Sequence, residues 1–150
     1  MTRSSIYAGI VIFALTAISG CAEAPMKKRI ATDKAPPAGG PYSQAIQAGN
    51  LLFVAGQIPV NPATQALNTG TIEEQTAQVM DNIKAISDAA GLSMANVVST
   101  TVFMKNIDEF SRMNAVYGKY FGEAPPARAT VEVSRLSGNI LIEISAIAVK

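Results

Sequence analysis

The chain has 150 residues, 49% of them hydrophobic, with twelve basic against eleven acidic side chains and a formal net charge of +1. One domain of ordinary size fits that length and two do not. With no histidine, no tryptophan and one cysteine, the composition excludes Ser-His-Asp and Cys-His catalysis and a disulfide framework.

In chain order the first element is a leader. Met1 and Arg3 open a weakly positive region, and Ile6 to Ile18 is an uncharged apolar run closed by Ser19 and Gly20. A membrane-spanning helix needs roughly 20 apolar residues, so residues 1–20 read as a cleaved signal peptide. The quartet Ile18-Ser19-Gly20-Cys21 resembles the bacterial lipobox, which makes Cys21 a lipidated first residue and residues 21–28 a short tether. The expected location is the outer side of a bacterial membrane. Ala22 after the cysteine, rather than an aspartate, favours the outer membrane in a diderm host. The competing readings are an ordinary signal peptide with an incidental cysteine, and an internal start at Met26 giving a cytoplasmic form. Arg3 is the leader's only basic residue, so eleven basic residues balance eleven acidic ones beyond it. That neutrality gives nucleic acid little to hold. Lys27-Lys28-Arg29 reads as a solvated part of the tether, with contact to anionic headgroups as the alternative.

Residues 29–150 form the domain. A strand is expected near Arg29, and Ala35-Pro36-Pro37-Ala38-Gly39-Gly40-Pro41 reads as an ordered loop. Ala45 to Ala48 and Leu51 to Ala55 flank Gly49-Asn50 as a hairpin; Gly56 to Gly70 reads as loop. Thr71 and Glu74 make a capping box, and Val79, Ile83, Ile86 and Ala90 form one apolar stripe ended by Gly91. Val97 to Met104 reads as a strand. A second helix is expected from about Ile107, with Phe110, Met113, Tyr117 and Phe121 as its core face and Gly122 as terminator. Arg128 to Val133 and Ile140 to Val149 alternate with period 2 and read as the last strands. The order is β-β-β-α-β-α-β-β, an α+β domain. Two helices cover only one face of such a sheet, yet its strands are apolar on both, so oligomerisation is the simplest cover for the other.

Several polar groups stand where backbone geometry is special. Arg128 follows Pro125-Pro126-Ala127 and opens a strand on which Arg128, Thr130 and Glu132 share a face. Its planar fork suits a small carboxylate, although a surface salt bridge is the commoner use of such a residue. Glu143 alternates with Ile142 and Ile144 in an otherwise apolar strand. It reads equally as a part-buried general base and as an edge charge that blocks aggregation. Tyr42 reads as pocket-lining, and the Gly56 backbone as open to close approach or as a plain turn. Asp33, Asp81, Asp88 and Asp108 lack EF-hand spacing, so no metal is expected.

These pieces stand in a familiar order. Gly40-Pro41-Tyr42-Ser43-Gln44-Ala45, Ala55-Gly56-Gln57-Ile58-Pro59-Val60, Pro126-Ala127-Arg128 with Val131-Glu132-Val133, and Ile142-Glu143-Ile144 resemble the Rid (YjgF-like) family of enamine and imine deaminases. The likeness runs from Arg29 to Val149. It implies a chorismate-mutase-like α+β fold with a mixed sheet, two helices on one face, and a homotrimer with pockets at its subunit interfaces. By the same resemblance Arg128 binds a substrate carboxylate, Glu143 holds or activates water, and Tyr42, Gly56, Asn114 and Thr130 line the pocket. The implied reaction is hydrolysis of a short 2-imino acid, such as the imine tautomer of 2-aminoacrylate, to a 2-keto acid and ammonia without a cofactor. Ala55 stands where many relatives carry serine, and Ser145 where many carry a second glutamate. The alternatives are a non-catalytic module binding small carboxylates and a chaperone-like trimer. A nuclease role, attached to some relatives, finds no support in a neutral chain without histidine.

Overall fold

The computed structural model describes residues 26–150; the leader, Cys21 and the tether to Pro25 lie outside the described residues. Six strands and two α-helices follow the expected order: β1 (Lys27–Ile30), β2 (Ala45–Ala48), β3 (Leu51–Gln57), α1 (Ile72–Ala89), β4 (Val97–Met104), α2 (Phe110–Tyr117), β5 (Ala127–Glu132) and β6 (Ile142–Val149). They build one sheet in the order β1-β2-β3-β6-β4-β5. Every pairing is antiparallel except β4 with β5. No helix among the described residues is long and apolar enough to cross a membrane.

Strict alternation decides how the sheet is covered. Along β6, Ile142, Ile144, Ala146 and Ala148 are buried while the residues between them are half-buried. They meet buried Leu52 and Val54 on β3 and Thr100, Val102 and Met104 on β4. Against this face packs α1, whose Val79, Met80, Ile83 and Ile86 are fully buried. The helix starts where the capping box places it: the Glu74 N–H donates to Thr71 Oγ1, and the Thr71 N–H to the Glu74 carboxylate at 2.8 Å. The opposite face is bare in the single chain. Phe53 (43% exposed) and Val131 (44%) lie on it, together with Phe103 and Glu143, which pair across β4 and β6.

β5 and β6 are displaced by one or two residues from the expected Arg128–Val133 and Ile140–Val149, and three further differences from the sequence reading have local reasons. β1 begins at Lys27, so Lys27 and Lys28 pair with Ala48 and Gln47 instead of belonging to the tether. β3 runs on through Gly56 and Gln57, with a register shift against β6 between Val54 and Gln57, so Gly56 belongs to a bulged strand end and not to a loop. The second helix is α-helical only over Phe110–Tyr117, with 3-10 turns at Ile107–Glu109 and Gly118–Tyr120. It stops at Tyr120, before the expected terminator Gly122.

Candidate functional site

The bulge at Gly56 is the starting point. β3 and β6 converge there, and Glu143 on β6 points to the bare face of the sheet. A β-carbon on Gly56 would stand 3.0 Å from Glu143 Cδ and 3.2 Å from Cγ, so the glycine is what admits the carboxylate. Glu143, Gly56, Ala55, Tyr42, Ile58 and Ser137 line a hollow of about 390 Å3. Burial raises the Glu143 pKa above its ordinary value, and the residue has no ion-pair partner among the described residues. The even choice left by the sequence is thereby narrowed: β6 is a central strand, so Glu143 is not an edge charge.

Linkage gives this shift a sign. The folded state holds the Glu143 proton more tightly than the unfolded chain does, so its contribution to stability falls as pH rises from the ordinary carboxylate value of 4.5 through the raised one. Glu143→Gln is therefore expected to gain stability relative to the parent as pH climbs through that window. Melting temperatures of both proteins from pH 4 to pH 7 check it; a gap that does not widen refutes it.

Tyr42 is held from the loop behind it. Its hydroxyl accepts from the Gly39 N–H at 3.2 Å, and its ring is exposed. Two residues on, Gln44 is buried and fastens the proline loop. Its Oε1 accepts from the Thr32 N–H at 2.7 Å, and its amide donates to the carbonyls of Thr32, Ala35 and Pro36 at 3.0, 3.1 and 2.7 Å. Gln44→Ala leaves those groups without their partner, so it is expected to cost roughly 2–4 kcal/mol and to open the loop to proteases. Denaturant titration and limited proteolysis measure both.

Arg128 is elsewhere. It pairs with Thr100 across β4 and β5, on the helix-covered side and at the sheet's free edge. Its guanidinium lies 4.6 Å from the centroid of the Tyr117 ring and 5.3 Å from that of Phe110, a cation–π seat. The Tyr117 hydroxyl is 2.7 Å from Thr100 Oγ1, and burial raises its pKa against the opposing pull of Arg128. The surface salt bridge is not found: Arg128 has no ion pair among the described residues, so its fork remains available. Thr130, one step further on the same face, has a buried Oγ1 without a hydrogen-bond partner among the described residues. Asn114 is exposed on α2, at helical spacing from Phe110 and Tyr117.

The expected site residues thus form two groups on opposite faces of one sheet. Tyr42, Gly56 and Glu143 come together; Arg128, Thr130 and Asn114 form the other group. Ser137, in the β5–β6 connection, joins the first and was missed, because nothing in its spacing marks it. No group of histidine, cysteine, aspartate and glutamate suited to a metal ion occurs among the described residues.

Fold and site together define a small α+β protein with a glutamate-bearing hollow at one sheet end and a free arginine at the sheet edge. A family model described as Endoribonuclease L-PSP matches residues 32–150. A RutC family protein of Pyrococcus horikoshii is 56% identical over 125 residues, covering 83% of this chain and 99% of that protein. The 2-iminobutanoate/2-iminopropanoate deaminase of Escherichia coli K12 is 47% identical over 128 residues, covering 83% and 99%. Among solved structures, E. coli TdcF with bound serine superposes with a TM-score of 0.79 at 40% identity, covering 82% of this chain and 98% of that one. The chain belongs to the Rid (YjgF-like) family.

Proposed function

We propose that this protein hydrolyses short 2-imino acids to 2-keto acids and ammonia, in pockets assembled between subunits of a homotrimer. The observation that carries the reading is the split site: Glu143 in its hollow on one face, and Arg128 unpaired at the sheet edge on the other. A ring in which the β5 edge of one subunit meets the bare face of the next brings an Arg128 to a Glu143 three times, and covers the exposed Phe53 and Val131 as it closes. The E. coli deaminase relative and the serine-bound TdcF structure support a small amino-acid-like ligand.

The chemistry needs little more than these groups. Arg128 grips the substrate carboxylate and fixes C2 near Glu143. The Glu143 carboxylate takes a proton from water as the water oxygen bonds to C2 and the C=N π pair moves to nitrogen. The carboxyl returns that proton to nitrogen, giving a carbinolamine; Glu143 then passes the C2 hydroxyl proton to the same nitrogen, so that the C–N bond breaks with its electron pair leaving on ammonia. The C2 hydroxyl oxygen becomes the keto oxygen. A carboxylate whose pKa burial has raised is a better base for this step than an ordinary surface glutamate.

The leader reading places this activity at the cell envelope, tethered through lipid on Cys21. Labelled fatty-acid incorporation that is lost in Cys21→Ala supports that location, and an unprocessed, unlabelled chain refutes it. The enzymatic claim is tested by ammonia release from an imine generated in situ by an amino-acid oxidase, with the soluble domain added. Release no faster than the uncatalysed rate across several imines, alongside binding of the corresponding keto acids, would replace the deaminase with a small-carboxylate-binding module.

A further inference from the structure

The charges of the domain nearly cancel in total but not in place. The start of β1, the Gly49-Asn50 turn and the end of β6 lie together at one end of the sheet, because Lys27 pairs with Ala48 and Leu51 with Val149. Lys150 is fastened there by its backbone N–H, which donates to the Asn50 carbonyl at 2.8 Å. Lys27, Lys28 and Lys150 are all exposed at this end, and none has an ion-pair partner among the described residues. The last turn of α1 leads back towards the same end through residues 90–96, but its Asp88 is already held by Lys84 at 2.7 Å. Arg29 is not part of the group, since it lines a separate hollow with Asp33 and Tyr42.

The opposite end carries the reverse sign. Glu73 and Glu74 open α1 there, next to Gln75, whose Oε1 accepts from the Leu141 N–H just before β6. Asp108 and Glu109 follow β4, and Glu132 closes β5. Lys105, Arg112 and Arg135 stand among them, with Arg112 bound to Glu73 and Glu109, so acid still prevails. The Glu143 hollow belongs to this end too, where β3 finishes at Gln57 opposite Ile144. Free lysines at one end and surplus carboxylates at the other make a dipole along the strands.

We propose that the lysine end is a docking surface for an anionic bilayer: Lys27, Lys28 and Lys150 meet lipid phosphates, and the Glu143 hollow is held on the side facing away from the membrane. The inference rests on the leader reading for its membrane and is independent of the deaminase reading. Two observations select a bilayer as the occupant. Charge is the first: each lysine near an anionic surface raises affinity about fivefold, and the same surface repels the acidic end. Reach is the second. Five residues separate Cys21 from Met26, so a lipid on Cys21 holds the start of β1 within about 18 Å of its attachment point. The tether's one carboxylate, Glu23, is outnumbered by the three lysines.

The test follows where each end stands on a membrane. The chain has no tryptophan of its own, so Asn50→Trp, in the turn beside the lysines, and Ala63→Trp, in the exposed loop after β3, each supply a single fluorophore. The full chain purified from cells is reconstituted in phosphatidylcholine bilayers with or without phosphatidylglycerol, and quenching by lipids with a nitroxide headgroup is read. Asn50→Trp is expected to be quenched and Ala63→Trp spared, and only where phosphatidylglycerol is present. Lys27→Gln, Lys28→Gln and Lys150→Gln introduced together are expected to remove the difference, a loss of roughly 10²-fold in the docked population, at an unchanged melting temperature. Equal quenching at the two positions, or quenching indifferent to lipid charge, overturns the docking surface. A chain whose mass shows no lipid on Cys21, yet whose Asn50→Trp form is quenched on added phosphatidylglycerol vesicles and not on phosphatidylcholine ones, upholds the surface and overturns the anchor.

Discussion

Arg128→Ala is expected to lower kcat/KM for imine hydrolysis by roughly 10²- to 10³-fold, the loss of about 3–4 kcal/mol of charge-assisted contact to a desolvated carboxylate. Arg128→Lys should recover only part of it, because an ammonium lacks the planar fork and stacks less well on the Tyr117 and Phe110 rings that seat the guanidinium. The stronger consequence follows from the split site. Arg128→Ala and Glu143→Gln are each expected to be nearly inactive as pure proteins, yet the two co-expressed should form trimers in which some interfaces pair an intact arginine with an intact glutamate. With random mixing each interface draws one residue from each neighbour, so about a quarter of the sites regain both groups and activity should return to about a quarter of the parent's. A mixture as inactive as its components, shown by size measurement to be trimeric, would mean that Arg128 and Glu143 do not act across an interface.

Much of this arrangement was legible in the sequence, and the parts that were not share a cause. The α1 start was readable because Thr71 and Glu74 satisfy each other's backbone within four residues, and the β6 faces because alternation is a property of the strand alone. Local rules reach that far. The extension of β3 was missed because Gly56-Gln57 looks like a turn until β6 is placed beside it with a shifted register. Lys27 and Lys28 were read as tether because their charge hides a pairing with β2 that only the sheet reveals. At the site, Phe110 and Tyr117 were read as core on the strength of their helical spacing. Their second role, as the seat of Arg128, depends on β4 and β5 running parallel so that α2 passes beside the arginine. Ser137 carries no periodic signal at all. The residue types of the site were visible in sequence, whereas its division between two faces required the topology.

Gly56→Ala separates function from folding more cleanly than either charged residue. Gly56 does not occupy the left-handed region, where Gly49, Gly91 and Gly138 sit, so alanine carries no backbone penalty of that kind there. What its β-carbon meets is the Glu143 side chain, with Cδ at 3.0 Å and Cγ at 3.2 Å. The colliding atoms are the far end of a rotatable chain, so the carboxylate swings away and the sheet stays as it is. The expected cost in stability is below about 1 kcal/mol, the range of substitutions outside packed cores. The expected cost in kcat is about 10²-fold, since displacing a catalytic group by roughly 1 Å is enough to lose that much. Melting temperature and kcat measured on the same preparation decide the matter. A stable variant with unchanged kcat would show that Glu143 need not stand at the bulge, and a variant that melts far below the parent would make Gly56 a structural glycine. A stable, slow variant leaves the position of the Glu143 carboxylate as the quantity the bulge was shaped to control.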